Sequence, residues 1–346
     1  MDYIVLRKKV TDAGLLDRQY GYYAFKITYT LGILFSLLAL LLYFSNFWVQ
    51  LLFVVALAFI FVQVGLLGHD AAHMAIFRSM KWNELAGLLF FGFLTGVGYN
   101  HWVWRHNAHH ANPNQEDADP DTASYAQTVD ELASKKGILK FVYERQHRLF
   151  MLVTVSSVTA YQVYGILHNW RMKSSFEKWA DSLMMAMHFA VFWVAPFFLF
   201  GWWKAAVFIT LWRLLMGAYF GSISATNHKG MTVVKKGQKL DFAEKQIITT
   251  RNVRRGLMVD FVYGCLNYQI EHHLFPTMPR NNFNKCKPLV KKFCSENSLA
   301  YEETGVIESY RQILAALKEV TVAAKQLQAT HSSLSVGGAK VVKTSS

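Results

Sequence analysis

The sequence predicts an all-α integral membrane protein: four transmembrane helices in two hairpins, capped by a cytosolic helical domain that carries a histidine-rich di-metal site. Three observations predict it. Of 346 residues, 53% are hydrophobic and only 17% are charged, a composition that suits a chain solvated by lipid. Uncharged or nearly uncharged apolar runs at 27–44, 47–68, 183–200 and 202–225 are each long enough to cross a bilayer. Eight of the 13 histidines fall in or beside three short clusters instead of scattering over a surface.

Residues 1–26 read as an amphipathic, basic cytosolic N-terminus lying at the membrane surface. They show neither the apolar core nor the small-residue cleavage site of a signal peptide. Residues 27–68 form the first hairpin, because the break at Ser45-Asn46 is too short for anything but an antiparallel return. The chain is therefore back on its starting side at His69. Residues 69–182 form a cytosolic and interfacial segment. Within it, 85–98 is apolar but short and glycine-containing, as in a re-entrant piece. The stretch 149–168 carries Thr154, Ser156, Ser157, Thr159 and Gln162 and reads as a helix lying on the surface.

Residues 183–225 make the second hairpin around Gly201-Trp202-Trp203, tryptophans that suit an interface. Residues 226–329 return to the first side, and 305–329 has the apolar spacing of an amphipathic helix (Ile307, Tyr310, Leu314, Leu317). Residues 330–346 are rich in Ser, Gly and Lys and read as a disordered tail.

Charge orients this arrangement. In this topology every Lys and Arg except Lys204 and Arg213 lies on the histidine side, which the positive-inside tendency assigns to the cytosol. Arg213 falls inside a span, either as a contact in a substrate channel or, the favoured reading, as a structural partner. The formal charge of +13 beside long apolar runs matches anionic lipid better than nucleic acid. Cys265, Cys286 and Cys294 have no CxxC spacing and read as free thiols.

The clusters carry the chemistry. His106, His109 and His110 sit at i, i+3 and i+4, so on a helix all three rings are expected to point at one spot. His69 and His73 form an i, i+4 pair, Gln269 leads a third cluster ending in His272 and His273, and His228 adds a single ring. Imidazole binds Zn, Cu, Fe and Ni. One zinc site is satisfied by about four ligands, so eight clustered rings point to two metals. Imidazole also suits iron, which, unlike zinc, changes oxidation state and activates dioxygen. The carboxylate di-iron pattern needs two Glu-x-x-His motifs, and this chain has one, Glu144 to His147. Metals beside long apolar helices imply a substrate with an apolar chain.

The runs Gly68 to His73, His106 to His110 with the following Asn-Pro-Asn and Asp-Pro-Asp, Asn227 to Met231 and Asn267 to Pro276 resemble the motif set of the membrane fatty acid desaturases. The similarity extends over about 64–279, and the Gln-led third motif resembles the front-end and linoleoyl-CoA desaturase-like branch. The resemblance implies a non-haem centre of two iron ions that uses O2 and two electrons to place a cis double bond in an acyl chain, presented as acyl-CoA or acyl-lipid. It makes His69, His73, His106, His109, His110, His228, His272 and His273 iron ligands and active-site residues. Gln269, where many relatives have His, would bind iron directly, bind through water, or only shape the surroundings. Asn227 would hold a water. Asp70, Glu271, Asp119 and Asp121 would orient imidazole N–H groups or be ordinary solvated acids.

His188, inside a span, is expected to line an acyl channel; His101, His147, His168 and His331 are expected to stay away from the centre. No cytochrome b5 motif accompanies these runs, so the electrons are expected from a separate ferredoxin, cytochrome b5 or flavin reductase. Lys235-Lys236, Arg254-Arg255 and Lys291-Lys292 would dock such an acidic donor or CoA phosphates, or hold the domain against lipid. Two other classes remain: an acyl hydroxylase with the same centre, and a non-catalytic zinc-containing membrane receptor, which leaves most of the histidines without a role.

Overall fold

The computed structural model describes residues 2–340, with only the backbone described at 123, 124 and 331–340. Helix α1 (Tyr3–Asp12) starts where Asp2 accepts from the Val5 amide. Two long helices follow, α2 (Tyr20–Tyr43) and α3 (Phe47–Ala72), packed along each other. The Ser45-Asn46 break is a helix start: the Asn46 side chain accepts from the amides of Trp48 and Val49. Helix α4 (Met80–Gly87) runs into a π-helix, Leu88–Thr95, that packs on α3. Helix α5 (Tyr99–Ala111) carries the second histidine cluster.

Short helices α6 (Val129–Ser134) and α7 (Gly137–Tyr143) lead to α8 (Gln146–Val155) and α9 (Ser157–Arg171). Helix α10 (Phe176–Phe189), a π-turn and α11 (Ala195–Phe200) make one long apolar stretch, and α12 (Trp202–His228) makes the next. The remainder comprises α13 (Phe242–Ile248), α14 (Leu257–Val262), α15 (Gln269–Leu274), α16 (Phe283–Glu296) and α17 (Val306–Lys340). Between them, Asn252–Val253 and Glu303–Thr304 pair as two short parallel strands.

Four stretches are long and apolar enough to cross a membrane: Tyr20–Tyr43, Phe47–Ala72, Phe176–Phe200 and Trp202–His228. They are not equivalent. The most apolar window of α3 is 61% buried, against 17% for α2 and 11% for Phe176–Phe200, so α3 is the post around which the others pack. Their outward faces carry exposed Phe35, Leu42, Leu52 and Phe198, a surface that water would not solvate and lipid would. The mostly helical fold and the four apolar stretches agree with the sequence, although the first apolar helix, α2, starts at Tyr20, inside the segment read as a surface lead-in.

The surface helix expected over 149–168 is replaced by α8 and α9, bent by 63° at Ser156, and together apolar enough to count as a broken span. Two of the polar residues that suggested a water-facing helix, Thr154 and Gln162, point inward, while Ser156 and Thr159 are exposed. Thr154 hydrogen-bonds Tyr125 at 2.8 Å, Gln162 donates to the Thr95 carbonyl, and both are buried. The apolar residues Leu152, Val163 and Ile166 are on the outside. The end of α8 lies directly on α12. A Cβ at Gly217 would stand 1.7 Å from the Val155 carbonyl oxygen, so only glycine permits the approach.

Arg213 is buried with its guanidinium over the rings of Trp193 and Trp212, and it donates to Thr159. It lines none of the cavities described below, in keeping with the structural alternative. Helix α17 continues to Lys340, past the boundary at 330 where a tail was expected; no proline interrupts it, and extending an existing helix costs far less than starting one. Residues 341–346 of that tail lie outside the described residues, as does the side chain of His331.

Candidate metal centre

Each histidine cluster occupies a helix end. His69 closes the last turn of α3 and His73 caps it, His228 ends α12, and His272 and His273 lie in α15. Folding brings them to one place. The metal-binding atoms of His69, His73, His106 and His272 all lie within 4.8 Å of one another, and so do those of His109, His228 and His273. His110 stands between the two sets, its ring 4.6 Å from His106 and stacked 4.2 Å from His273.

The α5 cluster is therefore divided: His106 turns to the first set and His109 to the second, with His110 between them. The expectation that its three rings share one spot is corrected. On a helix, positions i and i+4 are about 40° apart, whereas i+3 falls about 60° to the other side. Two adjacent sites can use that divergence.

These residues fit metal ions. His73, His272 and His273 have buried Nε2 atoms with no hydrogen-bond partner, and a buried unpaired nitrogen is costly unless something else satisfies it. His106 and His110 face each other Nε2 to Nε2 at 3.1 Å, as do His109 and His228 at 3.3 Å. Burial, reinforced by neighbouring imidazoles, pushes His106, His110, His272 and His273 well below the usual 6.5, so they are neutral near pH 7 with lone pairs free to bind. His109 differs. Burial opposes its charge, but the Asp119 carboxylate 2.9 Å from Nδ1 outweighs burial and raises its pKa.

Outer partners fix the ring directions. Asp119 also accepts from the Asn114 and Asp121 amides, which hold it against His109. Asp121 turns to Arg105 at 2.7 Å and stays 3.8 Å from His109. The Gln246 side-chain oxygen stands 2.8 Å from His273 Nδ1, and the Thr249 carbonyl 3.3 Å from His228 Nδ1. Asp70 lies 3.5 Å from His69 Nδ1 and accepts from the Tyr23 hydroxyl and from Arg280. Glu271 is fully buried and touches no imidazole; it accepts from Asn252 and from the Tyr301 hydroxyl, both at 2.7 Å.

Gln269 stands beside the second set, its Nε2 3.1 Å from His228 Nε2. The Asn227 amide donates to the Leu266 carbonyl and to Gln269 Oε1, which turns the Gln269 NH2 group toward His228. Sequence reasoning missed Arg280, Asn252, Tyr301 and Gln246. None shares a cluster's spacing, and only Pro279-Arg280, just beyond the third cluster, offered a signal.

Among the other histidines, His101 is buried beside Trp104, Tyr164 and His168, away from both sets. His147 and His168 also stand outside both sets. His188 lines neither the cavity at the histidines nor the apolar cavity among the spans, where a channel residue was expected. Its Nδ1 bonds the Phe93 carbonyl at 2.9 Å and Nε2 meets Gln162 at 3.2 Å, which commits the ring to its own walls. The basic face is partly self-neutralised: Lys235 pairs with Glu116 and Lys236 with Asp117, each at 3.0 Å. A cavity of about 170 Å³ reaches His109 and His228 and is also lined by Arg105, Tyr161, Phe220 and Lys229.

Long apolar helices and two neighbouring sets of imidazoles define a mostly helical protein with four stretches apolar enough to cross a membrane and a histidine-rich site that could hold metal. The family is then specific: the model of the fatty acid desaturase family matches residues 45–305, and the chain belongs to that family. It is 29% identical to an acyl-lipid (9-3)-desaturase of Physcomitrium patens over 326 residues, 90% of this chain and 61% of that protein. It is 31% identical to fatty acid desaturase 3 of Bos taurus, covering 92% of this chain and 72% of that protein. A fatty acid desaturase 2-like protein of Mus musculus is 27% identical, with 92% and 66% covered. The chain thus spans less than two thirds of the moss and mouse relatives' lengths.

Proposed function

We propose that this chain is a fatty acyl desaturase that introduces a cis double bond into an acyl chain, as acyl-CoA or acyl-lipid, with O2 and two electrons from a separate donor. The observation that carries the reading is the pair of buried imidazole sets at the ends of apolar helices, assembled from the motifs that resemble the family. His69, His73, His106 and His272 would hold one iron ion, His109, His228 and His273 the other, with His110 between them. Two iron ions would supply the one-electron chemistry and dioxygen activation that removal of unactivated hydrogens demands.

The protein's own groups do the rest. Asp119, Gln246 and the Thr249 carbonyl hold three Nδ1 atoms, which leaves Nε2 of each ring directed inward. Gln269, its oxygen held by Asn227, shapes the surroundings of the second set, and its NH2 group would turn from His228 Nε2 when that atom holds iron. The cavity at His109 and His228 receives the acyl chain. The cytosolic placement of the centre rests on the basic residues around it.

The test is the fatty-acid methyl ester profile of a host expressing the chain and fed saturated, oleic and linoleic acids, beside the same host with His109→Ala. A new olefin absent from the variant supports the reading, and its position gives the regiochemistry. Hydroxylated product without olefin would favour an oxygenase. Purified protein that holds zinc alone and consumes no O2 would sink both.

A further inference from the structure

The cavity at the histidines is the first of three that share walls. Tyr161 and Phe220, rings edge-on at 5.9 Å, line both that cavity and a narrow void of about 30 Å³ behind it. The void is walled by Val62, Gly65, Trp102 and Met216, and Trp102 stacks on His106 at 4.2 Å. Beyond it lies an apolar cavity of about 290 Å³ among the spans, walled by Leu57, Phe192, Phe208 and Trp212. Phe61 is the one described residue that lines both the void and this far cavity.

We propose that the Phe61 ring is the floor of the acyl channel and sets the chain length this protein accepts. The inference rests on the acyl-chain reading above and adds the place where the chain must stop. Polarity gives the direction: Arg105 and Lys229 border the histidine cavity, and the walls become apolar toward Phe61, so the methyl end points at that ring.

The ring is held in place. Phe61 is 1% exposed and meets Trp212 at 4.9 Å and Phe192 at 5.1 Å, both edge to face. Behind them sits His188, 5.1 Å from Phe192 and 6.0 Å from Trp212, tied to the Phe93 carbonyl and to Gln162. Gln162 in turn donates to the Thr95 carbonyl at 2.9 Å. A chain too long for the void cannot swing Phe61 aside without breaking this stack. It must leave its last carbons misplaced, which draws the reacting carbons away from the metals.

The experiment compares wild type with Phe61→Ala, Phe61→Leu and Phe208→Ala, using saturated acyl-CoAs stepped by two carbons. Phe61→Ala joins the void to the far cavity. The ratio of kcat/KM for a chain one step beyond the wild-type optimum to that for the optimum should rise roughly tenfold, from burial of two more methylenes. Phe61→Leu should give a smaller rise, and Phe208→Ala, which widens only the far cavity, none.

A second readout needs no turnover. The acyl chain giving the largest rise in melting temperature should be longer in Phe61→Ala than in wild type. Folded Phe61→Ala and Phe61→Leu with the wild-type length preference in both measurements would overturn the proposal. So would Phe208→Ala shifting the preference as far as Phe61→Ala, because the chain would then already pass the ring. If Phe61→Ala does not fold, Phe61→Leu decides. If wild type forms no olefin from any chain, the desaturase reading fails by itself, and the melting series still decides whether Phe61 is the floor.

Discussion

Asp70 and Arg280 meet in the interior, 210 positions apart in the chain, with the Arg280 Nε donating to Asp70 Oδ2 and both side chains almost fully buried. Arg280 also donates to the Leu66 carbonyl of α3, while Asp70 takes the Tyr23 hydroxyl of α2 at 2.9 Å and lies beside His69. The pair ties the segment just beyond the third motif to the helix that carries the first. Arg280→Gln should destabilise the protein by about 3–5 kcal/mol, because it leaves a buried carboxylate without its counter-charge. It should also weaken metal binding at the first set by about 10–100-fold. Thermal melts and metal titrations check both; a variant with wild-type melting and metal content would contradict this role.

His272→Ala and His109→Ala remove one nitrogen from the first and the second set respectively. Each is expected to abolish desaturation and to lower bound iron while the protein stays in the membrane fraction. Mass-spectrometric metal analysis beside product assay reads this directly. Normal activity in either variant would refute the ligand assignment.

His101 gives a pH prediction at a distance from the two histidine sets. Burial, with Arg105 and His168 adding to it, pushes its pKa from 6.5 to about 4. The unfolded chain therefore binds a proton between those values that the folded chain does not, and stability falls as the pH drops below about 6.5. At pH 5 the loss is at most about 2 kcal/mol, and about 1 kcal/mol after allowance for solvent screening. Melting curves at pH 5 and pH 7.5 should differ less in His101→Gln than in wild type; equal differences would show that His101 is not the source.

Two glycine substitutions should diverge. Gly217→Val drives a side chain into the Val155 carbonyl, 1.7 Å from the new Cβ, and should cost about 3 kcal/mol or more or prevent folding. Gly21→Ala, with nothing within 4 Å and helical backbone around it, should be neutral or stabilise by about 0.5–1 kcal/mol. Expression in detergent and melting temperature distinguish them. A Gly217→Val variant as stable as wild type would mean that α8 does not rest on α12 as described.

Much of this protein could be read along the chain. Long apolar runs declare themselves because lipid-facing helices need no polar face, so the four stretches from Tyr20 to His228 were legible. The histidine clusters were legible because a helix brings i, i+3 and i+4 together locally. Other features were not, because they depend on which face meets a neighbour. The polar residues of α8 and α9 suggested water, yet Thr154 and Gln162 hydrogen-bond inside the bundle. A polar side chain in sequence does not reveal whether its partner is solvent or protein.

By itself, then, the sequence determined the helical class, the apolar stretches and the eight imidazoles, all products of composition and short-range periodicity. Only the tertiary structure decided that His106 and His109 belong to different sets, that Arg280 supports His69 through Asp70, and that Phe61 separates two cavities. Each of these joins residues on different helices. Their distances are fixed by how the helices pack, which no local pattern in the chain encodes.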